Sequence, residues 1–349
     1  MNKKLNLALI GAGRIGKLHA ETIAFRIPEA KLAAITDVQR DAAEAVAQRC
    51  TIPRVASDAG EILQDSDIDA VLICSPTNTH ADLVIEAARA GKHVFCEKPI
   101  DHSIEKVDRA LSEVKKAGVK LQVGYNRRFD PNFARVRRAI VSGEIGTPHL
   151  MHIISRDPAP PPISYIKNSG GMFLDMTTHD FDMARFLIGD EVTQIYAAAG
   201  VRVDPQIGEA GDVDTAVIVL HFANGAIGTI DNCRKAPYGY DQRVEVLGSE
   251  GSIATENCYP NYAVISTSES VRRDLPLNFF LDRYAESFER ELRAFTEAIL
   301  KDTPTAVTGT DGRAPVVMGL AARKSYEEHR PVSIEEISAP EGTATTANG

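Results

Sequence analysis

Apolar and polar positions alternate with two different periods in the first 125 residues. Short apolar runs at Leu5–Ile10, Lys31–Thr36, Ala70–Cys74, His93–Cys96 and Leu121–Tyr125 have the length and β-branched content of buried strands. Between them, apolar residues recur every three or four positions. This predicts helices from Ile15 toward Arg26, from Asp41 to Cys50, around Ala59–Leu63, up to Ala90 and from Ser103 to Ala117. Strands alternating with helices of this length predict an α/β fold, a doubly wound parallel sheet of the Rossmann type.

After Tyr125 the period changes. An amphipathic helix at Asn132–Val141 leads to strands at Leu150–Ser155, Gln194–Val203, Val213–Phe222, Ala226–Asn232 and Arg243–Leu247, most with no helix between them. Long strands in succession predict an α+β domain around one large, mostly antiparallel sheet. One face of such a sheet is covered by its own helices and the other can pair with a second copy, so a homo-oligomer is expected. Helices at Tyr284–Leu300 and Ala314–His329 close the fold, the second a candidate for packing back on the first domain. The expected division is residues 1–124, residues 125–337, and a disordered tail at 338–349, SAPEGTATTANG.

Composition narrows the partners. A chain of 349 residues exceeds what one core usually sustains, which agrees with two domains. The formal charge of −9 argues against nucleic acid and anionic membrane. The apolar run at the amino terminus breaks at Gly11 and continues into a helix pattern, which reads as a strand rather than a signal peptide. No apolar stretch reaches the roughly 18 residues of a membrane span. Cys50, Cys74, Cys96, Cys233 and Cys258 are scattered with no CxxC pair, pointing to reduced thiols in the cytoplasm and to neither a disulfide framework nor a zinc site.

Gly11-Ala12-Gly13-Arg14-Ile15-Gly16 follows the first strand and opens the first helix, the context in which GxGxxG has meaning. The first glycine makes the tight turn, the second lets backbone approach a pyrophosphate, and the third lets helix and strand pack closely. The helix N-terminus then receives the anion. Asp37 ends the next strand about 20 residues on, where a carboxylate accepts from ribose hydroxyls and repels a 2′-phosphate. NAD is therefore favoured over NADP, with Arg14 in the loop as the one residue suited to pair with that phosphate.

Two further strand ends carry candidates. Ser75, Thr77 and Asn78 stand at the carboxyl end of the third strand, as cofactor contacts or simply as a helix start capped by Asn78 or Thr79. Glu97-Lys98-Pro99 ends the fourth. An ammonium there can hold a hydroxyl and stabilise a developing alkoxide, or else form a surface pair with the glutamate.

The segment Gly170–Asp182, GGMFLDMTTHDFD, sets Asp175, His179 and Asp182 at i, i+4 and i+7, which on a helix share one face. A carboxylate one turn before an imidazole can orient it and raise its basicity, as proton abstraction from an alcohol requires. The plainer alternative is an acidic first turn and a satisfied histidine. Asp157, before a proline-rich loop, and the Tyr238-Gly239-Tyr240 turn are suited to sugar hydroxyls, or to turn capping and packing respectively.

With these segments together, the chain resembles the Gfo/Idh/MocA family of NAD(P)-dependent sugar and polyol dehydrogenases over nearly its whole length. GYNRRFDPNF at 124–133 and SRDPAPPP at 155–162 are similar to members that oxidise myo-inositol. The resemblance implies a catalytic set of Lys98, Asp175 and His179, inositol contacts at Asn126, Arg127, Asp157 and Tyr240, and Glu97 with Lys98 beside NAD. It also implies a homotetramer built through the large sheet and a cis peptide before Pro99. No resident metal is expected. Within this reading the rivals to myo-inositol are another cyclic polyol or pyranose, such as scyllo-inositol or a glucose-like sugar. A non-catalytic NAD-binding regulator would need only the glycine loop, and the joint presence of Lys98, Asp175 and His179 argues against it.

Overall fold

In the computed structural model, which describes residues 4–338, the apolar runs of the first half become β1 (Leu5–Ile10), β2 (Ala30–Thr36), β3 (Ala70–Ile73), β4 (His93–Glu97) and β5 (Leu121–Gly124). All neighbours pair in parallel, in the order β2-β1-β3-β4-β5. Their carboxyl ends therefore share one edge, and the order reverses between β1 and β3, where open α/β sheets bind ligands. Leu9, Leu72, Val94 and Phe95 are fully buried because helices cover both faces of the sheet.

The chain forms two compact units, residues 4–130 with 284–316 and residues 131–283 with 317–338. The sequence expectation put the boundary at 124 and the helix near residue 290 in the second domain. Instead Leu292 and Phe295, on the helix Ala285–Leu300, join the core of Leu7, Leu9 and Phe95. The rings of Phe95 and Phe295 lie 5.8 Å apart in an edge-on arrangement. The expected returning helix was the later one. That helix, Gly309–Glu328, places Gly309 and Gly312 against Leu111 and Val123 of the first unit, while from Val317 it belongs to the second. Periodicity reveals that a helix face is apolar, not which sheet it covers.

The second unit contains β6 (Pro148–Arg156), β7 (Val192–Gly200), β8 (Thr215–Phe222), β9 (Ile227–Cys233), β10 (Asp241–Gly248), β11 (Ser252–Ala254), the small hairpin β12 (Val264–Ser266) and β13 (Val271–Arg273), and β14 (Val332–Ser333). Seven of these form one sheet in the order β11-β10-β6-β9-β8-β7-β14, antiparallel at every step except β6 beside β9. Ala216, Ile218, Leu220, Ile230, Val244 and Val246 face its core, while Tyr196, Val217, Ile227 and Leu247 remain exposed on the other side. The hairpin had no signal in the sequence, because Val264, Ile265 and Val271 are exposed and no alternation marks it. Ser338, expected to begin the tail, ends the helix Ile334–Ser338, and residues 339–349 lie outside the described residues. Among the described residues, no helix is long and apolar enough to cross a membrane.

Candidate active site

The glycine loop of the first unit divides its labour. Gly11 adopts φ +103°, and a Cβ on it would lie 2.6 Å from the Cys74 carbonyl and the Ser75 nitrogen. A Cβ on Gly16 would lie 2.0 Å from the Gly11 oxygen. These two are glycine because backbone packs on backbone. Gly13 has an ordinary φ of −67° and nothing within 4 Å of its Cβ position, so its missing side chain leaves open space at the start of the helix Arg14–Arg26. No side chain caps that helix, which leaves its first-turn N–H groups for an anion. A dinucleotide pyrophosphate fits this cradle.

The neighbouring strand ends add the remaining cofactor candidates. At the end of β2, Asp37 accepts from the Ala12 N–H at 2.6 Å and the Gln39 N–H at 2.7 Å, and each oxygen keeps a second lone pair for a ribose hydroxyl. Arg14 is exposed in the helix's first turn, Ile15 half-buried beside it. After β3, Ser75 and Thr79 place their hydroxyls 2.6 Å apart, and Thr77-Asn78-Thr79 form a 3-10 turn. Thr79 makes no capping bond through its side chain, so the helix-cap reading of this loop is not what holds it.

Glu97 ends β4 with its carboxylate 2.6 Å from His19, and His19 is fully buried against the rings of Phe95 and Phe288. The Glu97 carboxylate is thus engaged inward, with a histidine. Lys98 is half-buried at the strand end, and the Lys98–Pro99 peptide is cis. His80 sits with one ring nitrogen 2.8 Å from the Pro99 carbonyl and the other 2.8 Å from the Ser75 carbonyl, tying the lysine segment to the cofactor loop. Neither histidine was singled out in the sequence, where a buried imidazole resembles any polar residue on a helix. Asn126 and Arg127 follow β5 in a 3-10 turn and are both buried, with the Arg127 guanidinium 5.6 Å over the Tyr284 ring.

In the second unit, the helix expected through Gly170–Asp182 is broken. Met172–Asp175 is one short helix and Thr178–Ile188 another. Met176 and Thr177 both donate to the Met172 carbonyl, and the Thr177 hydroxyl is drawn 2.6 Å from the Asn232 side-chain oxygen on β9, which shifts the register. Asp175 therefore ends one helix and His179 lies in the first turn of the next, both half-buried, while Asp182 is wholly buried. The shared face of the i, i+4, i+7 pattern does not form as one helix surface.

Three residues around Asp175 had no signal in the sequence. Tyr165 donates to Asp175 Oδ1 at 2.8 Å. Arg234, 1% exposed, places its guanidinium 3.6 Å from Asp175 Oδ2 and 3.6 Å from Asp212 Oδ2. Asp212 in turn accepts from the Met172 N–H at 2.9 Å. Gly171, at φ +79°, is glycine because a Cβ there would lie 2.7 Å from Asp212 Oδ1.

Asp157 stands just past β6, as expected, its backbone held by the Cys233 carbonyl and the Ala236 N–H. Tyr240 is buried immediately before β10. Its neighbour Tyr238 is committed elsewhere, accepting from Arg156 at 3.0 Å and donating to Asp241 at 2.6 Å. Burial and the Asp241 carboxylate raise the Tyr238 phenol above its usual range. Burial also opposes ionisation of Asp241, but bonds from Arg243, Tyr238 and Asn257 outweigh it and hold the carboxyl below its ordinary value. Among the described residues, no group of three or more His, Cys, Asp or Glu side chains is placed to hold a metal ion.

Residues 5–125 match the model of the oxidoreductase family with an NAD-binding Rossmann fold, and residues 133–254 match that of the GFO/IDH/MocA C-terminal domain. The chain belongs to the Gfo/Idh/MocA family of oxidoreductases. This Gfo/Idh/MocA chain is 49% identical to the myo-inositol 2-dehydrogenase of Thermotoga maritima, over 95% of this chain and 99% of the relative. It superposes on the crystal structure of a probable dehydrogenase from Thermotoga maritima with a TM-score of 0.94 and 49% identity, covering 95% of this chain and all of that one. It also superposes on scyllo-inositol dehydrogenase from Lactobacillus casei, solved with NAD(H) and scyllo-inositol bound, with a TM-score of 0.89 and 31% identity, covering 95% and 99%. The Gfo/Idh/MocA protein is thus an oxidoreductase whose first unit is an NAD-binding Rossmann domain.

Proposed function

We propose that this protein is an inositol 2-dehydrogenase, oxidising one secondary hydroxyl of myo-inositol to the inosose with NAD. The observation that carries the reading is the full-length likeness to a protein named myo-inositol 2-dehydrogenase, in a chain that keeps the glycine loop, Lys98, Asp175 and His179. Gly11 to Gly16, Asp37, Ser75, Thr77, Asn78, Glu97 and Lys98 hold the cofactor, whose nicotinamide, when bound, supplies the hydride acceptor. His179 takes the hydroxyl proton as general base, and Asp175 orients the imidazole and stabilises its charged form. The Lys98 ammonium stabilises the oxygen on which negative charge develops. Asn126, Arg127, Asp157 and Tyr240 grip the other hydroxyls, fixing which carbon faces the cofactor.

NADH formation at ~340 nm with myo-inositol, scyllo-inositol and glucose tests the reading directly, because that absorbance reports hydride transfer. Strong signal with myo-inositol is expected. The likeness to a scyllo-inositol dehydrogenase supports a second reading, in which the other stereoisomer is preferred and the same residues act. Lys98→Ala and His179→Ala are each expected to lower turnover by about 10²–10⁴-fold while NADH binding, followed by fluorescence, survives. Near-native turnover in both would sink the mechanism.

The exposed face of the large sheet supports assembly into a homo-oligomer, in our reading a tetramer. Leu247, Leu150 and Ile227 stand side by side across β10, β6 and β9, forming an apolar row open to solvent. The five free thiols support a reducing, cytoplasmic setting.

A further inference from the structure

Arg234 is a buried charged residue of the second unit that the mechanism above does not use. Its side chain is 1% exposed, and removing a guanidinium from water is repaid only by close hydrogen bonds. Arg243, whose side chain stays 40% exposed, shows the geometry of such close bonds. Its Nε and Nη2 form a fork on Asp241 at 2.8 and 3.0 Å. Arg234 makes no such fork. Its two carboxylate contacts are at 3.6 Å, beyond hydrogen-bond range, and among the described residues its buried Nε and Nη2 find no hydrogen-bond partner. Apolar side chains of similar volume often serve a fold's stability as well as or better than a buried ion pair.

Its placement gives it a role. The Arg234 backbone follows β9 and is fixed by its N–H on the Asp214 carbonyl at 2.9 Å. From there the guanidinium lies between two carboxylates, each 3.6 Å away and each associated with one end of the helix Met172–Asp175. Asp212, which accepts from the first N–H of that helix, lies on one side, and the carboxylate of its last residue, Asp175, on the other. Gly171 is bare so that Asp212 can approach. Immediately after Asp175 the helix breaks, so the intrahelical ladder does not fix where this carboxylate points relative to His179. We infer that Arg234 is a positioning residue that aims the Asp175 carboxylate at its catalytic task, acting through charge held close by in a dry interior and not through contact with substrate. This rests on the reading of Asp175 as a member of the catalytic set.

A double-mutant cycle in the full-length enzyme tests it, using Arg234→Met, Asp175→Asn and the two combined, with kcat, KM for myo-inositol and NADH affinity measured for each. Arg234→Met is expected to lower kcat about 30-fold, with KM and NADH affinity within about threefold of the parent. In the Asp175→Asn background the same change is expected to cost less than about threefold, because the group it positions is already gone. Native kcat in a folded Arg234→Met, or an undiminished loss in the Asp175→Asn background, overturns the inference. A loss spread equally over KM and NADH affinity marks general collapse of the site and overturns it too. Native turnover in Asp175→Asn alone instead overturns the reading of Asp175, independently of Arg234. If Arg234→Met fails to fold, Arg234→Lys decides, since it keeps a charge but loses the guanidinium's reach and planarity. Lowered kcat at unchanged KM supports the inference, and native kcat assigns Arg234 to the fold alone.

Discussion

Asp175 is held from both sides, by the Tyr165 hydroxyl on one oxygen and by the Arg234 charge beside the other. The two partners differ in kind. A neutral phenol on a half-exposed tyrosine contributes about 0.5–1.5 kcal/mol of net hydrogen bonding. Tyr165→Phe is therefore expected to lower kcat by about two- to tenfold with NADH affinity unchanged, and an unaltered kcat would show that the phenol does not hold Asp175 in the working enzyme. At this scale the sequence marked Asp175, His179 and Lys98 as candidates, because their side-chain types suit proton transfer and charge stabilisation. It was silent about Tyr165, Asp212 and Arg234. An aspartate or arginine tens of positions away looks the same whether it caps a turn or braces a catalytic carboxylate, because only folding gives it a neighbour.

Among elements, the glycine loop shows why one motif carries two kinds of constraint. Gly13→Ala meets nothing within 4 Å, so the protein is expected to melt as the parent does while NADH affinity falls by tenfold or more, the new methyl standing where a pyrophosphate must come close. Gly11→Ala drives a Cβ into the backbone of Cys74 and Ser75 at a positive φ and is expected to lower the melting temperature itself. Equal melting temperatures for the two variants would contradict this division.

A second element depends on pH. Asp214 sits where burial raises its carboxyl, but the N–H groups of Arg202, Asp204 and Val203 and the Thr215 hydroxyl outweigh that and leave it below its ordinary value of 3.8. A depressed folded-state value means the stabilisation is full above the unfolded value near 3.8 and is lost as pH falls through the lower, folded one. The stability deficit of Asp214→Asn, measured by urea unfolding, should accordingly be greatest near neutral pH and shrink below about pH 4. A deficit independent of pH would remove the carboxylate from the account. The broken helix at Met176 and Thr177 belongs to this scale as well. Local spacing predicted a continuous helix, and a hydrogen bond to Asn232, 55 residues later, interrupted it.

For the whole molecule, the apolar row on the open face of the large sheet is the feature that an isolated chain leaves unexplained. Val217, 50% exposed on β8, extends that face. Sedimentation of the parent protein is expected to show a tetramer, and Val217→Glu is expected to shift it toward smaller species, since a charge facing its own copy is unfavourable to bury. A parent protein that sediments as a monomer would exclude assembly through this sheet.

The strand-helix alternation, the succession of long strands after Tyr125, the glycine fingerprint with Asp37, and the family itself were legible in the sequence, because each depends on local period or on a short run of residues with fixed spacing. Other features were decided only by tertiary structure. These include the return of the helix Ala285–Leu300 to the first sheet, the Glu97–His19 pair, the break between Asp175 and His179, and the buried Arg234 between two carboxylates. Each of these joins residues far apart in the chain, and packing and charge choose such partners by proximity in space, which no periodicity along one strand or helix encodes.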